Sequence, residues 1–119
     1  MSIFRNAETT AYKAGDVIFA TGEAGKAMYV VSQGEVDIKV GDNVVECISP
    51  GSIFGEMALI DNSPRSATAI AKTDCTVVPL DQRRFQFLVQ ETPFFALQVM
   101  TIMATRLRHA NSRMTAKVD

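Results

Sequence analysis

The stretch FGEMALIDNSPRSATA places an acid and a base nine residues apart, with a turn sequence between them. Glu56 follows Gly55, and Arg65 follows Asp-Asn-Ser-Pro. A planar guanidinium can meet two oxygens of a phosphate at once. A carboxylate beside the same phosphate would be repelled unless it faced another group, and a sugar hydroxyl is suitable because it donates a hydrogen bond. The pair therefore predicts a ligand that carries a ribose hydroxyl and one phosphate.

The backbone around these two residues suits the same ligand. Gly55 permits close approach of the chain, and EMALI predicts one helical turn whose N–H groups face an anion. The residues that follow Arg65 are small, so we expect little side-chain crowding around its guanidinium. From the residues alone, a solvated surface pair remains the alternative.

Short strands are predicted over most of the chain, with Gly-bearing turns between them. In GEVDIKV, apolar residues alternate with polar ones, which predicts that Val36, Ile38 and Val40 share one face. Many short strands are typical of a closed or sandwiched all-β body. The six predicted strands are Val17–Ala20, Met28–Ser32, Val36–Val40, Val44–Ile48, Ala67–Ala71 and Thr76–Leu80.

Two helices are predicted at the C-terminus. Asp81–Glu91 has a helical spacing of apolar residues, and Thr92-Pro93 is a good start for a second helix over about 93–115. An apolar seam follows that helix at intervals of four and three residues: Ala96, Met100, Met103, Leu107, Ala110 and Met114. Either the seam packs on the β body, or it contacts a partner while Phe95, Val99 and Ile102 serve the body.

Length and composition favour one domain over residues 1–119, with a β-roll at about 12–80, a short helix at about 81–91 and the C-terminal helix. The net charge of −1 provides no basic field for nucleic acid. Cys47 and Cys75 form no Cys-x-x-Cys pair, and we expect both to be reduced, half-buried strand residues. The chain has one histidine, His109, which argues against a histidine metal site.

The sequence favours neither secretion, membrane insertion nor catalysis. No signal peptide is recognisable at the N-terminus, and no run of 18 apolar residues predicts a membrane span. No Ser–His–Asp or Cys–His arrangement can be assembled. We therefore expect a cytoplasmic protein that is not an enzyme, with no catalytic residue, no metal ligand and no cofactor.

Two segments of the chain resemble the cyclic-nucleotide-binding domain family. PGSIFGEMALIDNSPRSATAIA, residues 50–71, is similar to the family's phosphate-binding cassette, and AGDVIFATGEAGKAMYVVSQGEVDIKV is similar to its opening strands. The resemblance covers roughly Tyr12 to Met114. It implies a mainly β fold with C-terminal helices: a jelly-roll-like β-roll (a double-stranded β-helix), the cassette and a long C-terminal helix.

The resemblance also implies roles for individual residues. Glu56 would accept a hydrogen bond from the ribose 2′-hydroxyl, Arg65 would pair with the cyclic phosphate, and Ser66 would touch that phosphate. Backbone amides nearby would complete the cradle: those of Gly55, Glu56, Met57, Ala58 and Ala67. On the C-terminal helix, the residues that would face the purine are Arg106, Ala110 and Asn111.

The implied function is that of a sensor for a cyclic purine nucleotide, with cyclic AMP expected and cyclic GMP as the alternative. Binding would be transmitted through the C-terminal helix to a homodimer or an effector protein. The family's transcription factors carry a helix-turn-helix after this helix, and only a few residues follow Met114, so no nucleic-acid binding is expected. Two other interpretations are an interaction module with a vestigial pocket and a ligand-binding domain excised from a channel or larger receptor.

Overall fold

The computed structural model describes residues 8–118, and the side chains of residues 8–110. Within this range the chain divides after Arg84 into two compact units. The first unit holds the strands and a short helix, and the second holds most of α2 and all of α3. In chain order the elements are β1 (Thr10–Tyr12), β2 (Val17–Phe19), β3 (Ala27–Gln33), β4 (Val36–Val40), β5 (Asn43–Ile48), β6 (Ile53–Phe54), α1 (Met57–Asp61), β7 (Thr68–Ala71), β8 (Cys75–Asp81), α2 (Gln82–Glu91) and α3 (Pro93–Val118).

The strands of the first unit form two four-stranded sheets, in the orders β1-β8-β3-β6 and β2-β7-β4-β5. All the neighbouring strands pair antiparallel. This confirms the predicted mainly β roll followed by C-terminal helices. Two strands, β1 and β6, were not predicted from the sequence. They span three and two residues, which is too short for an alternating pattern to show.

The core of this unit is formed by the facing sides of the two sheets. Its buried residues come from both sheets: Phe19, Val31, Val36, Ile48, Phe54, Ala69, Ala71, Cys75 and Val77. The predicted alternation holds for Val36, which is fully buried, and for Ile38, which packs against the core. Val40, at the end of β4 and beyond a register shift between β4 and β5, is exposed.

The cysteines lie at opposite extremes of exposure. Cys47 is exposed on β5, the edge strand of its sheet, whereas Cys75 is buried in the core. Both are free, as predicted, but neither is half-buried. Burial raises the pKa of the Cys75 thiol, and the charges of Asp74 and Asp16 raise it further.

In the second unit, α3 begins at Pro93 as the Thr-Pro pair predicts, and the Phe95 amide donates to the Thr92 carbonyl over 2.8 Å. The Phe85 and Phe95 rings meet edge to face, with centroids 5.9 Å apart. Among the described side chains of α3, the fully buried ones are Phe95 and Val99, and large apolar residues on other positions are exposed: Phe94, Leu97, Met100 and Leu107. In the part of the chain that the structure describes, no single helix is long and apolar enough to cross a membrane.

Candidate functional site

The local fold of the cassette begins with Gly55, which follows β6 and adopts φ 78°. A side chain rarely adopts this conformation, so the turn from strand to helix requires glycine. Glu56 is the N-cap residue of α1, and its carbonyl accepts the amides of Leu59 at 3.1 Å and Ile60 at 3.2 Å. The helical turn predicted for EMALI is therefore confirmed.

The turn after α1 is fixed by its own side chains. Asn62 ends the helix in the left-handed conformation, with φ 58°. The Asp61 carboxylate accepts hydrogen bonds from the Ser63 hydroxyl and, at 3.0 Å, from the Ser63 amide. These two bonds stabilise the ionised carboxylate and lower the pKa of Asp61. The turn directs the chain back to the loop that follows β2.

Arg65 is joined to that loop through its backbone. Its amide donates to the Glu23 carbonyl, and its carbonyl accepts the Gly22 amide, each over 2.8 Å. Because both polar groups of the backbone are bonded to the same two-residue segment, the position of the Arg65 Cα is set by the fold itself. The loop of β2 therefore fixes where the Arg65 side chain starts.

The Arg65 side chain is buried, with 6 % of the residue exposed. Nη1 donates to the Gly55 carbonyl at 2.8 Å, and Nη2 donates to the Ala27 carbonyl. Cζ lies 4.0 Å from the centroid of the Phe19 ring and 6.0 Å from that of Tyr29. The expectation of little crowding around this guanidinium is wrong, because its neighbours come from strands far away in the sequence.

One nitrogen of this guanidinium has no hydrogen-bond partner among the described residues. This nitrogen is Nε, and it is buried. A buried donor without a partner costs about 1–3 kcal/mol, so such a group points to an acceptor that completes it. An anion is the natural acceptor because the donor is part of a cation.

The pKa of Arg65 reflects two opposing effects, its burial and its electrostatic interactions with nearby residues. Burial lowers the pKa of Arg65 from its ordinary value, while electrostatic interactions with Tyr29, Glu23 and Glu56 act in the opposite direction. An arginine stays protonated in proteins at neutral pH despite such shifts. Glu56 is buried to the same extent as Arg65, with 6 % exposed. The predicted acid and base are thus both buried, and the alternative of a solvated surface pair is wrong.

Gly25 packs closely against both α1 and the Arg65 side chain. A Cβ at this position would lie 2.1 Å from the Ala58 Cβ and 3.2 Å from both Cζ and Nε of Arg65. The first distance is shorter than any real contact between carbon atoms. Glycine at this position therefore lets α1 and the Arg65 side chain approach the same loop, next to the nitrogen that has no partner.

The other predicted site residues are distributed as follows. Ser66 and Met57 are exposed, Ala58 is buried, and Ala67 and Gly55 are half-buried, all of them in the first unit with Arg65. On α3, in the second unit, Arg106 is half-buried and Ala110 is exposed. The side chain of Asn111 lies outside the described residues, as does that of Met114.

Three contributors to the site were not predicted from the sequence: the Phe19 ring, the close packing at Gly25 and the Ala27 carbonyl. A carbonyl carries no sequence signal at all. Gly25 does carry one, because a second glycine shortly after Gly22 exceeds what one turn needs. Phe19 is an aromatic residue at the end of a strand, which the sequence alone cannot distinguish from ordinary core.

Comparison with known proteins agrees with this geometry. The family model of the cyclic nucleotide-binding domain matches residues 9–92, which include both sheets, the cassette and α2. The chain belongs to the cyclic nucleotide-binding domain family. The predicted resemblance is therefore confirmed, and the loop that holds Glu56 and Arg65 lies within the matched part.

Individual cyclic nucleotide-binding proteins resemble the chain over different lengths. A cAMP-dependent protein kinase regulatory subunit of Eremothecium gossypii is 41 % identical over 80 residues, which are 67 % of this chain and 18 % of the relative. A cyclic AMP receptor protein of Thermus thermophilus is 33 % identical over 105 residues, or 84 % of this chain and 49 % of the relative. The chain thus spans half or less of the length of these two relatives.

The fold is shared with a solved structure of this family. The crystal structure of the Thermus thermophilus catabolite activator protein superposes with a TM-score of 0.82 at 30 % sequence identity. The match covers 94 % of this chain and 55 % of that protein.

Proposed function

We propose that this domain binds a 3′,5′-cyclic purine nucleotide, with cyclic AMP preferred, and acts as its sensor. The observation that carries the proposal is the buried Arg65, whose terminal nitrogens are bonded to carbonyls while Nε has no partner in the described part of the chain. A phosphate oxygen supplies the missing acceptor and compensates the buried charge. Membership of the family and the names of the two cyclic AMP relatives support the choice of ligand.

In this proposal Glu56 binds the ribose 2′-hydroxyl. Glu56 is buried in the same cassette as Arg65, and a carboxylate accepts a hydrogen bond strongly from a hydroxyl group. Ser66 and the amides of the cassette surround the phosphate, and the exposure of Ser66 leaves its hydroxyl accessible to a ligand. Arg106, Ala110 and Asn111 remain predictions for the purine, supported by the resemblance.

The domain binds the nucleotide without transforming it. Arg65, the cation of the site, cannot act as a general base at neutral pH, because it does not release its proton. Recovery of intact cyclic AMP by chromatography after prolonged incubation is expected, and formation of a linear nucleotide by the purified protein would contradict this part.

The signal leaves through α3. Four exposed apolar residues recur along α3 at intervals of three and seven residues: Phe94, Leu97, Met100 and Leu107. They give the helix an apolar stripe that can contact a second copy or an effector. Methionine suits a surface that repacks between two arrangements. Nucleotide binding shifts the equilibrium between those arrangements by its different affinity for each.

Calorimetric titration with cyclic AMP, cyclic GMP and linear 5′-AMP tests the proposal. We expect saturable binding of the cyclic nucleotides, tighter for cyclic AMP. We expect weaker binding of linear 5′-AMP, whose phosphate carries more charge and is joined to the ribose by one ester bond instead of two. Absence of heat with either cyclic nucleotide at millimolar concentration would leave an interaction module with a vestigial pocket.

A further inference from the structure

We infer that Phe19 is a positioning residue: its ring holds the Arg65 guanidinium in the orientation that binds the phosphate. The ring centroid lies 4.0 Å from Arg65 Cζ, a stacking distance for a cation over an aromatic face. The inference rests on the proposed function, because the phosphate is the ligand that the guanidinium is held for.

Phe19 and the two carbonyls contact Arg65 in different ways. Arg65 Cζ lies over the Phe19 ring, and each terminal nitrogen donates one hydrogen bond, Nη1 to the Gly55 carbonyl and Nη2 to the Ala27 carbonyl. The Nε–H lies in the plane of the guanidinium and is not used by any described residue. An aromatic ring stabilises a cation through its face without accepting an N–H bond. Phe19 therefore supports the charge and leaves the Nε–H to a ligand.

A carboxylate in place of the ring would defeat this arrangement. It would accept N–H groups of the guanidinium and neutralise the charge, so that an incoming phosphate would have to compete with it. A buried guanidinium with an aromatic support stays cationic and keeps its donor. This is why an aromatic residue at position 19 is suited to the site.

The position of the Phe19 ring is itself fixed. Its centroid lies 5.9 Å from that of Phe54 and 6.1 Å from that of Tyr29, and the Tyr29 and Phe54 rings stack at 5.0 Å. Tyr29 and Phe54 face each other in the register of β3 and β6. The rings of three strands therefore form one support, and Phe19 is its member nearest to Arg65.

Preorganisation is the consequence for binding. An arginine held in one rotamer before the ligand arrives loses less conformational entropy when the ligand binds. Without the ring, the guanidinium samples other orientations and the ligand has to order it. We expect Phe19→Leu to weaken binding of cyclic AMP by about threefold to thirtyfold, on the scale of a cation–π contact.

Phe19 also belongs to the hydrophobic core, so a change in its size would disturb the packing as well. The decisive experiment therefore keeps the shape of the Phe19 side chain and changes only the electrons of its ring. Phenylalanines with one, two or three ring fluorines are incorporated at position 19, because fluorine withdraws electrons from the ring face with little change in volume. Affinity for cyclic AMP is expected to fall with each fluorine. The control is the same series at Phe54, a buried ring of the same cluster, and there affinity should stay constant. A flat series at position 19, or equal losses at both positions, would overturn the inference.

A second readout needs no ligand. In the NMR spectrum of the free protein, the ring current of Phe19 should shift the Arg65 Nε–H proton upfield, and its burial should slow exchange with water. In Phe19→Leu the signal should move downfield and exchange faster. If the wild-type protein binds no cyclic nucleotide, the proposed function fails, and this spectrum alone decides whether Phe19 holds Arg65: an unshifted wild-type signal would refute it.

Discussion

Arg65 donates a hydrogen bond from Nη1 to the carbonyl oxygen of Gly55 at 2.8 Å, so the cation of the site is tied to the residue that precedes the N-cap of α1. The same side chain reaches the Ala27 carbonyl at the start of β3. Arg65 therefore links the cassette to the β-roll, in addition to the ligand-binding role that we propose for it. A change at this residue affects the ligand-free protein as well as the complex.

The role of Glu56 is tested with Glu56→Gln and the 2′-deoxy form of cyclic AMP. The variant is expected to bind cyclic AMP more weakly by about 1–3 kcal/mol, because a charge-assisted hydrogen bond to the ribose is lost. For the 2′-deoxy ligand the mutation should reduce the binding free energy much less, since neither the wild type nor the variant can form the hydrogen bond to a 2′-hydroxyl. Glu23→Gln is the control, because Glu23 carries the same charge near Arg65 but is exposed. Equal losses for both ligands in titration calorimetry would contradict the assignment.

Gly25→Ala tests the close packing of Gly25 against Ala58 and Arg65. The added methyl group collides with Ala58 and presses on the guanidinium, so we expect a stability loss of about 1–3 kcal/mol and roughly tenfold weaker nucleotide binding. The control is Gly51→Ala, at φ 88° with nothing within 4 Å of its added Cβ. It should lose stability through backbone strain, by about 1–2 kcal/mol, and keep its affinity. Urea unfolding measures the loss of stability, and calorimetry measures the loss of nucleotide affinity. Wild-type affinity in Gly25→Ala would show that glycine at position 25 is not needed for binding.

Much of the fold could be predicted because its physical cause is local. The strands at 17–20, 28–32, 36–40, 44–48, 67–71 and 76–80 were recognisable from β-branched runs between glycine turns, and the start of α3 from Thr92-Pro93. β1 and β6 were missed because their two or three residues depend on pairing with distant strands rather than on local pattern.

The site was predictable only in part for the same reason. Glu56 and Arg65 were identified by the motif, but the surroundings of Arg65 were predicted wrongly. Its neighbours Phe19, Ala27 and Gly25 lie about forty residues earlier in the chain and reach it through antiparallel pairing of distant strands. Contacts of this kind arise from topology, which a linear reading of residue types does not contain.

The pH dependence of stability should reflect Cys75. Its pKa is raised in the folded protein above the ordinary value of 9.0, mainly by burial, so the unfolded chain releases the thiol proton first. The stabilising contribution is complete below pH 9 and is lost as the pH rises from there through the folded pKa. In reducing buffer, the free energy of unfolding should fall less between about pH 8 and 10 in Cys75→Ala than in the wild type. Identical slopes for wild type and Cys75→Ala would contradict the prediction.

The apolar stripe of α3 should support association. Leu97→Glu with Leu107→Glu places two charges on exposed apolar positions, so a homodimer formed through the stripe is expected to become a monomer by light scattering, with nucleotide affinity within about threefold of wild type. Thr105→Glu, on an exposed polar position, should leave the dimer intact. Hydrogen exchange of residues 94–110 should also change on addition of cyclic AMP. A wild-type monomer with identical exchange in both states would make the protein a nucleotide binder with no switch in this helix.

The central claim is that Arg65 binds the phosphate of a cyclic nucleotide, and titration of cyclic AMP into Arg65→Ala tests it most directly. Removal of the buried cation is expected to weaken binding by about 2–5 kcal/mol, at least thirtyfold, because the phosphate loses its charged partner in a desolvated site. Arg65→Lys keeps the charge without the planar guanidinium, so its affinity for cyclic AMP should lie between those of the wild type and Arg65→Ala. Circular dichroism establishes that the β-roll is intact in each variant. Wild-type affinity for cyclic AMP in a folded Arg65→Ala protein would contradict the account.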